Sequence, residues 1–180
     1  MATGEGITNL TSLDLSGNLT VAGTEAITGG VTFAGSVTLG DASTDILTVP
    51  STTIFRATVG VNQGAPTAKT VSATLTAANL LTSIITVNQG AGATSAQQLP
   101  LATAMDTALA SFVAGDAFNF SVINISTVDA EDASITINTG WTLVGKMDVL
   151  ANNAAATGNT SGLFRARKTA AGAWTLYRLA

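Results

Sequence analysis

Residues 13–39 read LDLSGNLTVAGTEAITGGVTFAGSVTL, and the way this stretch folds decides how the rest of the chain is read. Its odd positions carry Leu13, Leu15, Leu19, Val21, Ile27, Val31, Phe33, Val37 and Leu39, with Gly17, Gly23, Gly29 and Gly35 among them at a six-residue spacing. Glu25 is the one polar residue on that side, and small residues such as Ser16, Thr20, Thr28 and Ser36 fill the even side. Alternation with a period of two is the signature of a strand, because successive side chains leave opposite faces. A single strand of this length would run roughly 90 Å at about 3.3 Å per residue, several times the usual length. The chain therefore turns at the glycines or winds around something. Burying these side chains does not offset the entropy of ordering the segment, so backbone pairing and partner chains must add to it. Glycine at every sixth position suits an axis where backbones approach closely. The expectation is a glycine-punctuated β shaft over residues 1–50, intertwined with identical chains as a homotrimer. The competing reading is a set of short antiparallel strands in an ordinary monomeric β-domain.

Composition narrows the function classes. Hydrophobic residues make up 46% and charged residues 10%, and the mean hydropathy is +0.42. Such a chain stays soluble only if much of its surface is covered between subunits. The chain has no cysteine and no histidine, which removes disulfides, thiolate nucleophiles and the commonest general base and metal ligand. The net charge of −4 argues against nucleic acid as the main partner. No apolar run reaches eighteen residues, and the N-terminus carries neither a basic region nor an apolar core. Neither a membrane span nor a signal peptide is expected, and the product is expected to be made and assembled in a cytoplasm.

Charge is unevenly placed. Residues 1–55 hold Glu5, Asp14, Glu25, Asp41 and Asp45 without a base, whereas residues 165–180 hold Arg165, Arg167, Lys168 and Arg178 without an acid. Residues 1–12 read as a leader that orders on a partner. The turn-rich Gly40-Asp41-Ala42-Ser43-Thr44-Asp45 ends the shaft, and Pro50 closes the strand that follows. Asp41 and Asp45 alone are too few for a Ca²⁺ loop and read as turn residues.

Residues 51–180 are expected to form a β-sandwich or jelly-roll-like domain with one short helix. Strands are read at 53–61, 69–76, 83–87, 118–125, 134–138, 141–144, 147–150, 162–169 and 173–179. Residues 97–114 are the helix candidate, with Pro100 in the first turn and Leu101, Met105, Leu109, Phe112 and Val113 as its apolar stripe. The expected core contains Phe118, Phe120, Ile123, Ile135, Trp141, Leu143, Phe164, Trp174 and Leu176.

Motifs that could carry chemistry are weak. The Gly-rich run over residues 88–95 lacks the Lys-Ser/Thr of a phosphate cradle and reads as a loop. Asp129, Glu131 and Asp132 have no second acid opposite them for glycoside hydrolysis and read as a solvated loop. Arg165 and Arg167 share one side of a strand with Lys168 on the other, so the pair either receives a neighbour's carboxylate or protects a strand edge. Trp141 and Trp174 belong to the core or a subunit interface unless exposed rings stack on sugars. No catalytic, cofactor-binding or metal-ligating residue is assigned.

The runs LSGNLTVAGT (15–24), VTFAGSVTLGDASTDILTV (31–49), LPLATAMDTALASFVAGDAFNFSVIN (99–124), GWTLVG (140–145) and FRARKTAAGAWTLYRL (164–179) resemble tailed-bacteriophage virion proteins of the head decoration and head or tail fibre kind. The resemblance implies a homotrimeric, non-enzymatic structural protein on the capsid exterior of the virion. Its expected partners are further copies of itself and the major capsid protein or another shell protein, contacted through residues 1–50. Membrane and nucleic acid are not expected partners. The alternative is a tail fibre or receptor-binding protein that contacts host-surface glycan.

Overall fold

The chain divides into two units, residues 1–57 and 58–180. A computed structural model of the protein describes residues 63–153 and 158–180. The shaft, the Asp41/Asp45 turn and the strand expected at 53–61 lie outside the described residues.

The described residues are mainly β, in two sheets. The strands are β1 (Thr67–Lys69), β2 (Ala73–Thr74), β3 (Ile84–Val87), β4 (Ser95–Gln98), β5 (Ala117–Asn124), β6 (Ala133–Thr136), β7 (Trp141–Val144), β8 (Asp148–Val149), β9 (Ser161–Ala170) and β10 (Ala173–Arg178), with helices α1 (Ala77–Leu81) and α2 (Ala102–Ala108). One sheet has the order β1-β3-β5-β9-β10-β7 and the other β2-β4-β6-β8. The chain thus alternates between sheets up to β9. Strands β1, β3 and β5 are parallel, as are β2, β4 and β6, because each return passes through the opposite sheet. The result is a parallel winding: β1-β2-α1, then β3-β4-α2, then β5-β6. Register stacks Thr67 on Ile85 and Ile85 on Val122 in one sheet, and Ala73 on Gln97 and Gln97 on Ile135 in the other. Strands β9 and β10 form an antiparallel hairpin beside β5, and β7 runs parallel to β10 at the far edge. This strand order departs from a jelly roll, whose strands are antiparallel Greek keys.

One core lies between the sheets. It includes Leu75, Ile85, Phe120, Val122, Ile135, Val149, Phe164, Trp174 and Leu176. Phe120 stacks on Phe164 at 5.5 Å between ring centroids, and Trp174 lies 6.2 Å from Phe112 and 5.9 Å from Trp141. Both indoles are thus core residues, with 5% exposure at Trp141 and 1% at Trp174. Their N–H groups are satisfied inside: Trp141 Nε1 donates to Pro100 O at 2.7 Å and Trp174 Nε1 to Asp106 Oδ1 at 2.9 Å. Of the expected core, Phe118 and Leu143 are half-buried and pack against it. Ile123 is corrected to the opposite face of β5, because the inward phase runs Phe118, Phe120, Val122, Asn124.

Two helices occur where one was expected. Helix α1 begins with a capping box: Asn79 N–H donates to Thr76 Oγ1 at 3.2 Å, and Thr76 N–H donates to Asn79 Oδ1 at 3.1 Å. Helix α2 is shorter than the 97–114 reading. It starts after Pro100 and ends before Leu109, and it buries Ala102 and Met105 while Leu101 and Val113 stay exposed. The first two residues of that reading, Gln97 and Gln98, belong to β4 and pair with both neighbouring strands. Among the described residues, no helix is long and apolar enough to cross a membrane.

Gly140 closes the turn into β7 at φ +85°, and a Cβ there would lie 2.3 Å from Gly172 O and 2.5 Å from Ala102 Cβ. The backbone of the β9–β10 turn and the start of α2 occupy that space, so both conformation and packing demand glycine. Gly140→Ala is expected to lower stability by more than about 2 kcal/mol. Gly64→Ala, where nothing lies within 4 Å, should stay within about 0.5 kcal/mol. Urea unfolding followed by tryptophan fluorescence checks both.

Candidate functional site

Three groups of polar side chains stand out in the folded unit. The first is built around Glu131, in the loop between β5 and β6. Glu131 is 2% exposed, and its carboxylate accepts from Gly92 N–H at 2.7 Å, Gly90 N–H at 3.1 Å and Ser126 Oγ. Glycines at 90 and 92 adopt φ +67° and +68°, which turns their amides towards the carboxylate. The Gly-rich run is thus a loop whose amides are held by an acid of its own chain. Asn124, buried at the end of β5, continues the network by donating to Glu131 O at 2.7 Å and Val149 O at 3.2 Å.

The neighbouring acids do different work. Asp132 Oδ1 accepts from Ala151 N–H at 3.0 Å, and Asp129 Oδ1 accepts from Asn153 Nδ2 at 2.8 Å. Glu131 thus fastens the Gly-rich loop, while Asp132 and Asp129 both fasten the segment after β8. Glu131 is corrected from a solvated loop residue to a buried clamp. Its hydroxyl and amide donors were invisible in the sequence because they come from Ser126, Gly90 and Gly92, on two loops.

The second group joins α2 to the β9–β10 hairpin. Asp106 accepts from Gly172 N–H at 2.5 Å and Trp174 Nε1 at 2.9 Å, and Lys168 Nζ lies 3.1 Å away. Lys168 also donates to Phe112 O at 3.0 Å. One carboxylate thus ties the hairpin turn, a core indole and the segment after α2. Lys168 faces inward, opposite Arg165 and Arg167, as strand alternation dictates.

The third group is the outer face of the six-stranded sheet. Arg165 and Arg167 are exposed there on β9, with Arg165 Nε donating to Asn119 Oδ1 at 2.9 Å. Strand β9 lies between β5 and β10, so the edge-protection reading is corrected: these arginines sit on an interior strand. Among the described residues, neither arginine pairs with a carboxylate; the ion pairs there are Lys146–Asp148 and Lys168–Asp106. Residues 63–180 hold six acids and six bases, so the entire net charge of −4 falls on residues 1–62.

An open groove of about 450 Å³ runs beside Lys146, Asp148, Asn159 and Arg178. Arg178 is spent on the fold: it donates to Asp148 O, to Ala180 O at 3.0 Å and to Ser161 O at 3.3 Å, with its guanidinium 5.5 Å over the Phe164 ring. Among the described residues, no cluster of three or more acids could hold a metal ion. Compared with family models, curated proteins and solved structures, the chain matches none.

Both networks, Glu131's buried and Asp106's half-buried, fix the charged form of a carboxylate. The Ser126 hydroxyl, with the Gly92 and Gly90 amides, holds Glu131 below the usual range against the opposing effect of burial. The Gly172 amide does the same for Asp106, again against burial and helped by Trp174 and Lys168. A carboxylate whose folded pKa is depressed contributes stability above its unfolded pKa and loses it as pH falls through the folded value. The melting temperature of the folded unit is therefore expected to hold steady near neutrality and fall below about pH 4.5. Glu131→Gln and Asp106→Asn should each melt lower at pH 7 and lose part of that acid-side decline. Thermal scans from pH 3 to 8 read the effect.

Proposed function

We propose that this protein is a non-enzymatic structural component of a tailed-phage virion, a homotrimeric decoration or fibre protein on the capsid exterior. In this reading residues 1–50 form an intertwined β shaft that attaches to the major capsid protein or another shell protein, and the folded unit projects outward. The observation that carries the proposal is the division of charge and pattern along the chain. The N-terminal segment carries the whole net charge and a glycine-punctuated strand pattern that calls for partner chains. The folded unit is neutral and has its own core.

Several features of the folded unit support a structural role. Asp129, Glu131 and Asp132 are engaged in fastening loops, Asp106 is engaged in holding a hairpin, and Arg178 is engaged with backbone carbonyls. The receptor-binding alternative loses the aromatic platform it would have drawn from Trp141 and Trp174, since both rings are buried. Three acidic segments presented together on one trimer would attach firmly even if each contact were weak, through effective concentration.

Purified full-length protein and residues 56–180, each added to phage particles lacking the native copy and then pelleted, test this reading. The full-length protein is expected to co-sediment and the shorter form to stay in solution, with attachment weakening modestly as salt rises. Equal co-sedimentation would reverse the polarity, and binding by neither form would remove the virion assignment.

A further inference from the structure

The outer face of the six-stranded sheet is a surface with two characters. Cross-strand register places Asn119, Arg165, Tyr177 and Val144 in one row over β5, β9, β10 and β7, and Ala117, Arg167, Thr175 and Thr142 in the row beside it. On the other side of these rows, Ile84 aligns with Ser121 and Leu163, and Ile123 lies between Thr86 and Ser161. All these residues alternate with the inward-facing core positions of the same strands; Leu163 and Val144 are 37% and 45% exposed, Ile84 and Ile123 are half-buried, and Thr175 is buried between its neighbours. The face thus sets an apolar strip of Ile84, Ile123 and Leu163 beside two arginines without a carboxylate partner among the described residues.

We infer that this face receives the acidic N-terminal segment, within residues 1–55, of a second copy of the chain; the inference rests on the trimer reading above. Charge complementarity selects the occupant. The folded unit is balanced in acids and bases, so a second folded unit brings no surplus of carboxylates to the arginines. Residues 1–55 bring Glu5, Asp14, Glu25, Asp41 and Asp45 with no competing base. Arginine presents a planar fork suited to carboxylates, and cations two residues apart on a strand face the same side. The trimer reading supplies such segments from neighbouring copies. The same contact covers apolar surface that would otherwise be exposed and neutralises charge on both sides.

The absence of cysteine from the chain allows a direct test. Asn119→Cys places a single thiol in the middle of the face, and a benzophenone maleimide attached to it reports its neighbours after irradiation. Full-length protein of natural isotopic composition is unfolded and refolded with an equal amount of ¹⁵N-labelled protein, then irradiated and mapped by peptide mass spectrometry. The expected products join residue 119 to peptides within residues 1–55, with mixed isotopic pairs prominent. Adding R165E and R167E should cut their yield about tenfold, while raised salt lowers it progressively. Products of a single isotopic kind, which mean contact within one chain, would overturn the inference, as would products confined to residues 63–180 or an unchanged yield in the charge-reversed variant. Size-exclusion of the same sample separates the two levels: a trimer whose crosslinks miss residues 1–55 overturns this contact alone, and a monomer removes the trimer reading beneath it.

Discussion

The folded unit depends on the in-register stacking of strands that belong to different turns of one winding. Because the chain crosses from one sheet to the other after nearly every strand, no two consecutive strands before the β9–β10 hairpin pair with each other. A slip of one residue in β5 would turn Phe120 away from Phe164 and bring Asn119 or Ser121 in, so the shared core enforces the register. The turns are of unequal length, and each return must be fixed at its ends. The capping box of α1, the Gly140 turn, the Glu131 clamp and the Asp106 tie fix those returns. The last three pin a loop or helix to a neighbouring turn, while the capping box fixes the start of α1 locally.

This dependence explains what the sequence disclosed. Strands β5, β7, β9 and β10 were legible because Phe118-Asn119-Phe120, Trp141-Thr142-Leu143 and Phe164-Arg165-Ala166 alternate cleanly. Strand β4 was hidden because its inward residues are Ser95 and Gln97, both fully buried and polar. Gln97 Nε2 donates to Val71 O at 3.0 Å and to Ser95 Oγ at 3.4 Å, while Gln97 Oε1 meets no hydrogen-bond donor among the described residues. Helix α1 was missed because its capping residue at the third helical position is Asn79, where Glu or Gln is the usual cue. Ile123 was placed in the core because local hydrophobicity does not tell which phase of a Val-Ile pair faces inward. The buried Asn124 continues the correct phase, and no apolar pattern announces it.

The polar groups follow the same logic. Arg165, Arg167 and Lys168 could be assigned to opposite faces from strand alternation alone. That β9 is an interior strand, and that Lys168 meets Asp106, depended on topology. The roles of Glu131 and Asp106 were not legible, since all their donors except Ser126 come from segments distant in sequence. Placing those acids in the fold leaves Arg165 and Arg167 as a cationic pair on an open sheet face, while the unmatched acids lie in the N-terminal segment. That separation of charge underlies the structural role proposed for the whole chain.

The claim on which this account turns is that the N-terminal segment orders only among identical chains. Sedimentation equilibrium of the full-length protein measures it most directly. The account predicts a single species of about 54 kDa, three times the 17.9 kDa chain, over a broad concentration range. A stable species of 17.9 kDa would contradict it.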